Sequence, residues 1–145
     1  MAEHSMTCAG IDVAKKKLDA VILPGGAHLC VPYDTAGLKR LDAFFREHKV
    51  TRIGFEASGG YEWVLLAHLR GGTIEAARFQ PGQVRCFAKS RLRRAKNDKL
   101  DARIIAAFTA SLEAMPPLPN ARFDALNFFR ETLFDVLRGR TGQRL

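Results

Sequence analysis

Four acidic residues in this chain of 145 stand where solubility alone does not explain a carboxylate. Asp12 interrupts the apolar run Cys8-Ala9-Gly10-Ile11-Asp12-Val13-Ala14, and Glu56 closes a second run just before Ser58-Gly59-Gly60. Asp98 and Asp101 open a long apolar-periodic stretch, and three residues apart on a helix they share one face. A carboxylate in a buried strand is costly unless a cation compensates it. With the first and fourth predicted strands as neighbours, Asp12 and Glu56 sit side by side, and a helix can bring Asp98 and Asp101 to them. Converging carboxylates repel until cations join them. Magnesium, or manganese in its place, takes oxygen ligands and completes its shell with water and phosphate. Two such ions about 4 Å apart can activate a nucleophile and stabilise a leaving oxygen in phosphodiester cleavage. The expectation is a two-ion nuclease-type site in which Asp12, Glu56, Asp98 and Asp101 are both ligands and catalytic groups.

Each acid alone also has a plainer reading. Asp98 suits a helix N-terminus, and Asp101 a surface pairing with Lys99 or Arg103. Glu56 is then an exposed strand-end acid, and Asp12 lies on the solvent side of a half-exposed strand.

Charge favours the first reading. The formal net charge is +8. Arg85, Lys89, Arg91, Arg93, Arg94, Lys96, Lys99 and Arg103 are opposed, between Arg85 and Arg103, only by Asp98 and Asp101. So dense a cluster is the footprint of phosphate binding, and these eight residues are the candidate nucleic-acid contacts; a solvated helix face is the alternative. Cys8, Cys30 and Cys86 have no zinc spacing and read as reduced thiols of a cytoplasmic protein. No apolar run approaches the roughly 18 residues of a membrane span, and no signal-peptide order opens the chain. A 47% hydrophobic share argues for a packed core and against disorder.

The elements that must position the acids follow from periodicity. Thr7–Val13, Leu18–Leu23 and His28–Tyr33 read as three strands joined by short turns, hence an antiparallel meander. Thr35–His48 is a helix with Thr35 or Asp34 as N-cap. Arg52–Ala57 is a strand, Tyr61–Leu69 a helix ended by Gly71-Gly72, and Thr73–Phe79 a fifth strand. Pro81 starts a helix with Val84, Phe87 and Ala88 on its thin apolar side. Asp98–Leu112 follows, with Leu100, Ile104, Ile105, Phe108 and Leu112 at helical intervals. Met115–Asn120 is a stiff linker, and Ala121–Arg138 a last helix with a wide apolar stripe. The fold class is mixed α/β, a five-stranded sheet flanked by helices, plus a C-terminal helical extension.

Three segments, in this order, carry a resemblance: Gly10-Ile11-Asp12-Val13-Ala14-Lys15, Phe55-Glu56-Ala57-Ser58-Gly59-Gly60-Tyr61 and Lys96-Asn97-Asp98-Lys99-Leu100-Asp101-Ala102. They resemble the signature blocks of the DEDD insertion-sequence transposases, relatives of the Piv-type DNA invertases. The resemblance implies a RuvC-like, RNase H-like catalytic domain over residues 6–115. The family's four acids correspond to Asp12, Glu56, Asp98 and Asp101, which would coordinate divalent metal, normally magnesium. Gln80-Pro81 and Lys89 resemble a segment implicated in nucleic-acid contacts. The implied function is DNA recombination in transposition, guided in insertion-sequence members by a structured RNA. Full-length members continue through a coiled-coil-like region into a domain with a nucleophilic serine. Residues 116–145 are expected to be the linker and start of that region, with the serine domain absent. Ser58, Ser90 and Ser111 do not match its context, so complete transposition by these residues alone is not expected.

Two other readings stay open. One is a free-standing Holliday-junction resolvase-like nuclease. The other is a non-catalytic nucleic-acid-binding or oligomerisation module, in which Ala121–Arg138 joins copies of the chain into a homo-oligomer; the bland version has that helix docking on its own domain.

Overall fold

A computed structural model describes residues 6–57, 59–91 and 98–119, with Leu133 and Val136; for 98–101 it describes the backbone only. The strands are β1 (Cys8–Val13), β2 (Lys17–Leu23), β3 (Ala27–Pro32), β4 (Arg52–Glu56) and β5 (Glu75–Phe79). The helices are α1 (Thr35–Glu47), α2 (Glu62–Arg70), α3 (Pro81–Ser90) and α4 (Asp98–Ser111).

The expected meander forms. β1 pairs antiparallel with β2, and β2 with β3. β4 joins the free edge of β1 in parallel and β5 joins β4 in parallel, giving the order β3-β2-β1-β4-β5. Parallel neighbours need long crossovers, which α1 and α2 supply. Asp34, not Thr35, caps α1: its carboxylate accepts the Gly37 N–H at 2.7 Å. β5 starts two residues later than expected, at Glu75, the first residue with a partner in β4, Arg52.

The pleat divides the core in two. Ala9, Ile11, Val13, Leu18, Ala20, Ile53 and Phe55 face α1 and α2 and pack with Leu41, Phe45, Leu65 and Leu66. Gly10, Asp12, Val21, Gly54 and Ala77 alternate onto the other face, which α4 covers. There the apolar cluster is smaller: Ala77, Phe79, Val84 and Ile105, with Ile104, Phe108, Leu112 and Met115 at its margin.

The sequence pattern sets the large apolar residues of α4 at helical intervals. The stripe that touches the central strands is instead Ala102, Ala106 and Thr109, all fully buried. A Cβ on Gly10 would overlap the Ala102 carbonyl and the Ala106 amide, and one on Gly54 would overlap the Thr109 hydroxyl. The helix backbone thus rests almost directly on two glycines in register with each other. Only small residues fit at that approach, so Ile105 and Phe108 are displaced sideways onto Phe79.

Arg52 fixes the far end of α4. Its guanidinium donates to the carbonyls of Leu112 at 2.7 Å and Glu113 at 3.2 Å, with a longer contact of 3.4 Å to Thr109. These are the orphan acceptors of a helix C-terminus, where a cation is favoured. The C-terminal end of α4 is thereby held at the start of β4, and the helix runs back from there over Gly54 and Gly10.

Candidate active site at the carboxyl ends of the central strands

Asp12 and Glu56 come together. The registered pairs of β1 and β4 run through Gly10 with Gly54 and Ile11 with Phe55. Asp12 and Glu56 are the next residues of each strand. By alternation both side chains lie on the α4 face, two residues beyond the glycines that admit the helix. Neighbouring strands are about 4.8 Å apart, so the two carboxylates occupy adjacent positions, both half-buried. Each has an interaction partner.

Asp98 and Asp101 form the first turn of α4, directly before the Ala102 that contacts Gly10. Their side chains lie outside the described residues. Among the described residues no three His, Cys, Asp or Glu side chains form a ligand set. The pair that is described fits a hard divalent cation in chemistry: two oxygen donors and no sulfur.

A fifth acid escaped the sequence reading. Asp19 on β2 is directly opposite Asp12 in the ladder and is 5% exposed. Like charges placed so are unfavourable. Asp19 is compensated by His28 Nε2 at 3.1 Å and Lys17 Nζ at 3.8 Å. The signal was available: Asp19 interrupts an apolar strand just as Asp12 does.

The turn after Glu56 is braced from the other face. Glu62, 3% exposed, accepts the Gly60 N–H at 3.2 Å and pairs with Arg78 at 3.4 Å. Arg78 also lies 4.8 Å over the Trp63 ring. Tyr33 donates its hydroxyl to the Tyr61 carbonyl at 2.6 Å and accepts from the Leu65 N–H at 2.9 Å. Burial pushes the Tyr33 phenol up to about 12.

Of the candidate basic contacts, Arg85, Lys89 and Arg91 are exposed on or just after α3. α3 starts where β5 ends, on the same side of the sheet as the acids. A Gln80–Gln83 capping box with Pro81 in the first turn sets its start. Arg91 lies 4.8 Å over the Phe87 ring. Arg103 does not join them: it is exposed, and its guanidinium approaches Gly26 in the β2–β3 turn, at the opposite end of β1 from Asp12. Arg93, Arg94 and Lys96, and the side chain of Lys99, lie outside the described residues.

A cleft of about 640 Å³ lies at the other end of the parallel strands, lined by Asp42, Arg46, Lys49 and His68 among others. It contains none of the acids just described. Cys8 is buried, while Cys30 and Cys86 are exposed, and all three are free thiols. No helix of the described residues is long and apolar enough to cross a membrane.

Comparison with known proteins places this geometry. A family profile described as Transposase, of the IS110-type DEDD transposases, matches residues 9–141. No curated protein matches the chain. Among solved structures the chain is similar to Thermus thermophilus RuvC in complex with a Holliday junction substrate, with TM-score 0.54 and 16% identity over 78% of this chain and 99% of that one. A second T. thermophilus RuvC structure has TM-score 0.44 and 17% identity over 94% and 97% of the two chains. The first likeness shows the fold: a RuvC-like member of the RNase H-like class, as the resemblance implied.

Proposed function

Because the chain belongs to the DEDD transposase family, we propose that residues 6–115 are its metal-dependent catalytic domain, which cuts DNA backbone during transposition. The reading is carried by one observation: Asp12 and Glu56 stand next to each other, on one face, at the carboxyl ends of adjacent parallel strands. Asp98 and Asp101, in the first turn of α4, complete the ligand set in this reading. Bound magnesium or manganese, as two ions, would polarise the scissile phosphate and stabilise the attacking and leaving oxygens. The chain's own residues do the positioning. Gly10 and Gly54 let α4 approach, Arg52 anchors its end, and Glu62 with Arg78 fixes the turn behind Glu56. Arg85 and Lys89 on α3 hold phosphates beside the site, with Arg91, Arg93, Arg94, Lys96 and Lys99 as further contacts.

Residues 116–145 are the linker and the start of a helical region leading to a serine-bearing domain, and the complete protein is guided by a structured RNA. Leu133 and Val136, three residues apart and 50% and 51% exposed, support self-association through that region. Calorimetric titration with Mn²⁺ tests the site. Saturable binding to the wild-type chain, lost in Asp12→Asn and in Glu56→Gln, is the expected result. Equal binding by all three proteins would remove these acids from the metal site.

A further inference from the structure

We propose that Lys15 and Lys16, at the tip of the β1–β2 hairpin, grip the DNA backbone on the side of the active site opposite α3. The proposal rests on the reading of this site as one that acts on DNA, and adds to it a second rim. The Ala14 N–H donates to the Lys17 carbonyl at 3.0 Å, so Lys15 and Lys16 are the whole of a two-residue turn. The Tyr33 N–H donates to the Lys16 carbonyl at 2.9 Å and braces the tip from the β3 side. Both lysines are exposed. Lys17 differs: its ammonium is 3.8 Å from the Asp19 carboxylate. Neither Lys15 nor Lys16 forms an ion pair among the described residues.

Turn chemistry does not call for these residues. Two-residue hairpins favour Gly, Asn or Asp at their centre, and adjacent ammonium groups repel. What the tip has is position. It follows Asp12 by three and four residues and projects from the same end of the sheet. In the order β3-β2-β1-β4-β5 the hairpin flanks the Asp12–Glu56 pair on one side, and α3, leaving β5, flanks it on the other. From the hairpin to β5 is two to three strand spacings, roughly 12 Å at about 4.8 Å each. That is about three to four nucleotides at 3.4 Å per step. The two rims therefore suit phosphates on either side of the one at the acids, and a backbone held at both points cannot swing away from them.

The test is duplex DNA binding by the full chain, read by fluorescence anisotropy against KCl concentration in calcium. The Lys15→Ala/Lys16→Ala variant is compared with Lys15→Arg/Lys16→Arg and with Arg85→Ala/Lys89→Ala. Loss of two phosphate contacts should make the slope of log K on log salt shallower by about 1.8. The arginine variant should match wild type, and Mn²⁺ affinity should not change. A wild-type slope in the hairpin alanine variant, with a shallower one in the α3 variant, overturns the proposal and leaves the functional reading standing. No salt-dependent DNA binding by the wild type overturns both. A shallower slope on an RNA hairpin but not on duplex DNA also overturns it, because the rim then serves RNA.

Discussion

Asp12 on β1 and Asp19 on β2 face one another across an antiparallel ladder, on the side of the sheet that α4 covers. Asp19 is turned toward Lys17 and His28, while Asp12 adjoins β4 and Glu56. Removing the Asp19 carboxylate takes an ion-pair partner from Lys17 and a hydrogen-bond partner from His28. Both are partly exposed, which limits the cost. Asp19→Ala should lower stability by about 2 kcal/mol in urea denaturation. Stability equal to wild type would show that the pairing does not sustain this buried charge.

Gly10 and Gly54 set the height of α4 above the sheet. A methyl group at Gly10 meets backbone, which cannot rotate away as a side chain can. Gly10→Ala should cost about 3 kcal/mol and weaken Mn²⁺ binding, because the helix must lift from the strand that carries Asp12. Gly82→Ala is the control, since a Cβ there meets nothing within 4 Å. A Gly10→Ala protein with unaltered stability and metal affinity would contradict the close approach.

Tyr33 gives a pH signature. Its phenol titrates at about 12 when folded, against roughly 10 in an unfolded chain. Folding thus favours the protonated form. The associated stability is fully present below pH 10 and is lost as pH rises through 12. Wild type should therefore lose more stability than Tyr33→Phe between pH 9.5 and pH 11.5. Tyr33→Phe should also be less stable at pH 8 by about 1–2 kcal/mol, through loss of the links to Tyr61 and Leu65. Parallel pH profiles for the two proteins would refute this assignment.

Leu133 and Val136 expose apolar surface at helical spacing. The double variant Leu133→Lys/Val136→Glu should shift sedimentation of the chain toward the monomer without lowering its melting temperature. A wild-type monomer at 100 μM would rule out self-association through this segment.

The strands and the meander were legible because each carries its own signal: apolar runs of strand length bounded by Pro24-Gly25-Gly26 or Ser58-Gly59-Gly60. The pairing of β1 with β4 was not contained in either strand. It follows from α1 crossing back over the sheet, and was reached as a condition for Asp12 and Glu56 to meet. α4 shows what periodicity misses. Its large residues drew the eye, while the contact that positions the helix uses Ala102, Ala106 and Thr109, small enough to look neutral. The glycines opposite them are the complementary clue, one in each acid-bearing strand and two residues before its acid. Asp19 was overlooked because its nearer partner, His28 at 3.1 Å, comes from β3, across a turn that the sequence alone does not place. The density of positive charge was plain, but charge density does not say which side chains share a surface, and Arg103 reaches the far end of β1.

The segment after α4 is rich in proline, and Pro116, Pro117 and Pro119 have no amide hydrogen to donate. It is fastened chiefly through its carbonyls and its apolar side chains. Arg52 takes the Glu113 carbonyl and Arg70 takes that of Pro119, while Met115 packs with one core and Leu118 with the other. The strap thus wraps the domain from one face to the other, riveted at both ends by guanidinium groups. Tension arriving from farther along the chain would be borne by β4 and α2 before it could peel α4 from its glycine bed.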